Sequence, residues 1–159
     1  AANTVPPIAK HCSAAPASTL ELCVENAQGK VGDVIDVDVY VLGTAGCTEA
    51  QEAGGRMDIN PTHFELQNAL DVQNCRTRRF DKGLSGNDEL MWNAFGANVV
   101  PGCTANLPSG MHDSIKLKIL PGTPPGDYTF KWTTSGVIGA DATCSAFDSG
   151  ISGTIRVLP

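Results

Sequence analysis

"GKVGDVIDVDVYV", residues 29–41, decides the fold. Ile35, Val37, Val39 and Val41 alternate with Asp36, Asp38 and Tyr40, the two-residue period of a strand with one face in a core and one in water. Gly29 and Gly32 ahead of it supply a chain reversal. On the N-terminal side Leu20, Leu22 and Val24 make a second alternation, which puts Glu21, Cys23 and Glu25 on the opposite, wet face. On the C-terminal side a strand near Gly55 to Asn60 stops at Asn60-Pro61, and Phe64 with Leu66 starts another. Glu89 to Phe95 and the Ile115, Leu117, Ile119 series follow. Pro121-Gly122-Thr123-Pro124-Pro125-Gly126-Asp127 is a turn no helix crosses, because proline lacks the N–H donor and clashes with the preceding turn. Tyr128, Phe130 and Trp132 resume the alternation, and Ile155 with Val157 closes it. Helical spacing is nowhere sustained. The pattern predicts an all-β chain, an antiparallel β-sandwich of about nine strands.

The 159 residues suit one domain. Residues 1–18, rich in Ala, Pro and Ser and without periodicity, read as an extended tail, and residues 19–159 as the sandwich. A net charge of −6 argues against a phosphate-binding surface and hence against nucleic acid. No run approaches the roughly 20 apolar residues that span a bilayer. The AANTVPP start lacks the layout of a signal peptide, while its Ala-Ala suits a mature end left by signal cleavage. The expectation is a soluble secreted or cell-surface protein with its signal peptide already removed.

Six cysteines, Cys12, Cys23, Cys47, Cys75, Cys103 and Cys144, contain no C-x-x-C pair, which favours disulfides over zinc or thioredoxin-type chemistry. Following strand direction, segments 43–54, 72–79, 96–111 and 134–151 fall at one end of the sandwich, bringing together Cys47, Cys75, Cys103 and Cys144. That leaves Cys12 and Cys23 for each other. The preferred set is Cys12–Cys23, Cys47–Cys75 and Cys103–Cys144, although fifteen connectivities are formally open.

Residues with chemistry are sparse. His11, His63 and His112 are far apart and form no H-E-x-x-H, and no G-x-S-x-G elbow occurs. Glu49 with Glu52, or Asp88 with Glu89, are carboxylate pairs better read as solvated charge than as acid and base. "FDKGLSGNDEL" offers Asp81, Asn87 and Asp88 as oxygen ligands for calcium but misses the EF-hand spacing. "CRTRRFDKG" carries Arg76, Arg78, Arg79 and Lys82, a basic patch able to meet an acidic partner. Trp92, if exposed, could stack on a sugar, whereas Trp132 alternates with Phe130 and Tyr128 as core.

Four marks in order resemble the cohesin-like modules of bacterial and archaeal extracellular proteins. "GKVGDVIDVDVYV" is similar to the family's second strand with its Gly-Lys-x-Gly-Asp start, and "GGRMDINPTHFEL" to a strand followed by an Asn-Pro turn. "DSIKLKILPGTPPGDYTFKW" resembles paired late strands about a Pro-Gly-rich turn, and "GISGTIRV" the closing strand. The resemblance covers about residues 19 to 158 and implies a nine-stranded jelly-roll-like sandwich used for protein contact, usually with a calcium-binding dockerin module, and no catalysis. The six cysteines and the long segments 43–54, 96–111 and 134–151 depart from the family, and no dockerin-contacting residue set transfers. The function expected is a non-catalytic extracellular module acting through a dockerin-like partner or through copies of itself in a surface filament; the alternative is a carbohydrate-binding module that takes polysaccharide.

Overall fold

The computed structural model describes residues 6–12, 20–43, 49–71, 75–82, 88–95, 107–108, 110–139, 145–147 and 150–159. Among them are the strands β1 (Glu21–Val24), β2 (Ala27–Gly29), β3 (Val34–Leu42), β4 (Glu49–Asp58), β5 (Phe64–Leu66), β6 (Leu70–Asp71) and β7 (Arg76–Lys82). The second half holds β8 (Asp88–Phe95), β9 (Leu107–Pro108), β10 (Gly110–Ile119), β11 (Gly126–Gly139), β12 (Ala146–Phe147), β13 (Gly150–Ile151) and β14 (Gly153–Val157). Four of these fourteen segments are only two residues long, and β1 with β2 is one strand that changes sheets, so the expected count of about nine stands.

The smaller sheet runs β13-β1-β3-β10-β5, and the larger β2-β14-β11-β4-β8-β7-β6, with β12 on β11 and β9 on β4. Most ladders are antiparallel, but the first and last strands lie side by side in parallel, β13 on β1 and β14 on β2. Both cross from one sheet to the other at the same place, where Asn26 Oδ1 accepts from Thr154 N at 2.8 Å. This closes the sandwich into a jelly roll.

The decisive stretch behaves as its alternation dictates. Ile35, Val37, Val39 and Val41 are all buried, and Asp36 is exposed. The Gly-Lys-x-Gly-Asp start has a local cause: Gly32 takes φ 93°, a left-handed backbone that suits glycine, and the Asp33 carboxylate accepts from Lys30 N at 2.8 Å. At Asn60-Pro61 the Asn60 side-chain oxygen accepts from Thr62 N at 2.9 Å, an Asx turn that redirects the chain into β5. Between the sheets Leu22, Val24, Val37, Val39, Ile115 and Leu117 meet Met57, Leu90, Trp92, Phe130, Val137 and Ile155 in one apolar core. Trp132 packs at its margin, where Gly150 passes so close that an added Cβ would fall on the indole. Burial of side chains of this size, at about 25 cal/mol per Å², is the main stabilising term.

Three expectations need correction. Residues 49–54 and 134–139, read as insert loops, are strand: β4 begins at Glu49 and β11 runs on to Gly139, paired with each other. Their glycines and charges hid the alternation. Residues 76–82, read as a basic loop, are strand β7. Cys23 and Glu25, expected on a wet face, are buried at 0% and 2% exposure, because residues 8–12 lie across them. Residues 8–12 of the tail are therefore a strap on the outside of the smaller sheet, and Cys12, Cys23 and Leu42 form a second small apolar cluster with Tyr40 and Ile151.

Candidate partner-binding face

The outer face of β7, β8, β4 and β11 is built by register. With Leu90, Trp92 and Ala94 turned into the core, β8 turns Glu89, Met91 and Asn93 outward; β4 likewise presents Gly54, Arg56 and Asp58. Cross-strand pairing aligns these into three rungs. Asp81, Glu89, Asp58 and Lys131 form the first, Arg79, Met91, Arg56 and Thr134 the second, and Thr77, Asn93, Gly54 and Gly136 the third. A mostly acidic rung thus lies beside one in which a half-buried methionine sits between two arginines. Arg79 Nη2 reaches Met91 Sδ at 3.6 Å and Asp81 Oδ2 at 3.5 Å. Glu89, although on this outer face, is covered by Thr133, whose hydroxyl donates to Glu89 Oε2 and also lies 3.3 Å from Arg56 O.

The other surfaces are less open. The smaller sheet carries the strap over Cys23, Tyr40 and Leu42. Among the described residues the outermost strands β13, β5, β2 and β6 are two or three residues long and pair only a short stretch of their neighbours.

The sequence candidates divide among these surfaces. The basic patch does not form as one surface, because β7 alternates. Arg79 faces out, but Arg78 is buried and spends its guanidinium on Asp113, with Nε 2.6 Å from Oδ2 and Nη2 on Oδ1. Arg78 Nη1 also donates to Asn68 O at 2.9 Å. Arg76 is half-buried, its Nε donating to His112 O at 2.9 Å. The Lys82 side chain lies outside the described residues. Trp92 is fully buried and donates its Nε1–H to Asp113 Oδ2 at 2.7 Å, so it offers no ring face to a sugar. Asp113 stands at a bulge in β10, and its three donors come from β7 and β8, tying the two sheets together. Asp81 pairs with Glu89 and Asp88 with Lys82, so the two aspartates stand on successive rungs that turn to opposite faces of the sheet; Asn87, the third calcium candidate, lies outside the described residues. His11, Cys12 and Cys23 bring ligand-type atoms within 4.8 Å of one another, but both sulfurs are joined to each other and provide no thiolate. The Cys12–Cys23 disulfide has a Cα–Cα distance of 5.7 Å. Cys75 is disulfide-bonded as well, whereas Cys47, Cys103 and Cys144 lie outside the described residues, and with them the other two expected pairings.

Arg56, Met91 and Asn93 went unremarked in the sequence. The signal that could have found them is the alternation of Thr77, Arg79 and Asp81 with Arg78 and Phe80, which makes β7 a strand beside β8.

No protein-family model matches the chain, and no curated protein does. Solved structures share the fold. A chain of the type I complex of the OlpA cohesin with a dockerin from Clostridium thermocellum is 14% identical, with a TM-score of 0.63 over 89% of this chain and 100% of that one. The seventh ScaB type I cohesin of Pseudobacteroides cellulosolvens is 15% identical, TM-score 0.59, over 88% and 92%. The cohesin module of a Clostridium perfringens family 33 glycoside hydrolase is 13% identical, TM-score 0.60, over 88% and 98%. The chain has a cohesin-like fold along nearly its whole length. No helix of the described residues is long and apolar enough to cross a membrane.

Proposed function

We propose that this chain is a non-catalytic protein-contact module that docks a dockerin-like partner on the outer face of β7, β8, β4 and β11. The observation that carries this reading is the register that sets Arg79, Met91 and Arg56 in one rung beside the acidic Asp81, Glu89 and Asp58 on the outer face of one sheet, while residues 8–12 strap the other. Solved structures of like fold include cohesin–dockerin complexes. The Arg79–Met91–Arg56 rung fits a partner element with an apolar residue for Met91 and acidic residues on either side of it, since opposed potentials steer association and fix register. An exported or cell-surface setting agrees with the disulfides. A carbohydrate role loses its main support with the burial of Trp92, and the large hydrophobics exposed among the described residues are Val31, Val34 and Met111, none aromatic. Titration calorimetry of the full chain against a panel of dockerin modules tests the proposal. Saturable one-to-one binding is expected, weakened at least tenfold by Arg56→Glu with Arg79→Glu. A partner bound equally well by this variant would move the site elsewhere.

A further inference from the structure

We propose that residues 8–12 are a strap which Glu25 latches over the Cys12–Cys23 disulfide, so that a reductant reaches the bond only after the strap has lifted. Both cysteines are 0% exposed, packed with Leu42 against Tyr40 and Ile151. Among the described residues the ties from strap to body run through side chains. Glu25 Oε1 accepts from His11 N at 2.7 Å and Oε2 from Cys12 N at 2.9 Å, while Oε1 also accepts from Asn26 N at 3.0 Å. Asn26 Nδ2 donates to Ala9 O at 2.7 Å, Gln28 Oε1 accepts from Ile8 N at 2.9 Å, and His11 Nε2 lies 2.7 Å from Val24 O. One buried carboxylate therefore holds two strap amides, and its loss frees them without touching the sheets. Local opening of such a unit requires less free energy than unfolding the core.

With an external thiol as reductant the step balances. Its thiolate attacks one sulfur, the S–S bond breaks, and the displaced cysteine leaves as a thiolate that takes a proton. A second external thiol resolves the mixed disulfide, giving two cysteine thiols and one external disulfide. Attack needs a line of approach along the S–S axis, which the closed strap blocks.

The latch is pH-sensitive. Burial alone would raise the Glu25 carboxyl, but the His11, Asn26 and Cys12 amides and the nearby His11 ring together hold it below the usual carboxylate range. The titratable groups that face it are the His11 ring at 3.8 Å on the strap and Tyr40 on β3. Loosening is therefore confined to the acid range in which Glu25 itself takes a proton.

The test measures reduction of Cys12–Cys23 in the folded full chain by tris(2-carboxyethyl)phosphine, whose phosphorus attacks one sulfur along the same axis and is then hydrolysed by one water to the phosphine oxide with release of both cysteine thiols, followed by alkylation and peptide mapping, for wild type, Glu25→Gln and the core variant Leu22→Ala. The proposal expects Glu25→Gln to be reduced roughly tenfold faster than wild type, with amide exchange of β3 unchanged, and Leu22→Ala to be reduced near the wild-type rate under native conditions. Equal rates for Glu25→Gln and wild type would overturn it. So would a Leu22→Ala acceleration as large as that of Glu25→Gln, since reduction would then follow global unfolding. Should Glu25→Gln fail to fold, the wild-type rate, normalised to reduction of a small-molecule disulfide at each pH, decides: it must rise in acid, and a flat profile sinks the idea.

Discussion

Asp113 is a carboxylate almost out of water, held by the Arg78 guanidinium and the Trp92 indole N–H. Removing one member of a buried ion pair leaves the other charge uncompensated, a loss of about 3–5 kcal/mol, so Asp113→Ala should lower the urea midpoint by that equivalent. Replacing both Arg78 and Asp113 by leucine should recover much of the loss, because no charge is then stranded. At Gly150 the constraint is steric: Gly150→Ala pushes the Trp132 ring and should cost about 1–3 kcal/mol, with a change in tryptophan fluorescence in the folded state. Glu25 carries the pH dependence. Its carboxyl is lower in the folded chain than in the unfolded one, so its contribution is present above the unfolded value and fades as pH falls through the folded one. Amide exchange of His11 and Cys12 should therefore lose protection in acid before that of Val37 and Val39 does.

Among the elements, legibility followed alternation. β3 and the Ile115–Ile119 half of β10 could be read because every second residue there is Val, Ile or Leu; residues 110–114 of β10 lack that alternation and were missed. β7 escaped because its inward positions are Arg76 and Arg78, charged residues that a period-two reading assigns to water; only the Asp113 partner, on a strand of the other sheet, makes Arg78 an inner residue. The start of β4 escaped for a related reason, since Glu52, Gly54 and Gly55 take their order from β8 and β11 rather than from their own propensity. Cys23 shows the reverse error. Its strand face was assigned correctly, but the exposure of that face was not, because the strap that covers it comes from a segment with no pattern of its own. The Cys12–Cys23 pairing itself followed by elimination, once strand direction sent the other four cysteines to one end of the sandwich. Cys12→Ser with Cys23→Ser should cost about 2–3 kcal/mol by freeing a loop whose ends are 11 residues apart, measurable as a drop in Tm with the sheet spectrum kept.

For the whole molecule, the order of turns and alternations was enough for the sandwich, and the fold likeness extends over 89% of the chain. The face that the fold presents was not legible, because it depends on register between β7, β8, β4 and β11, which no single strand encodes. Among the described residues the two sheets differ: one carries a covalently held strap, the other presents Met91 between Arg56 and Arg79 on its outer face, and the proposed function assigns partner contact to the second. The measurement that bears most directly on this division is calorimetric binding of a dockerin-like module to wild type, to Met91→Asp, and to Val34→Asp on the smaller sheet. The account predicts that Met91→Asp weakens binding at least tenfold while Val34→Asp leaves it unchanged. Binding that survives Met91→Asp and is lost with Val34→Asp would contradict it.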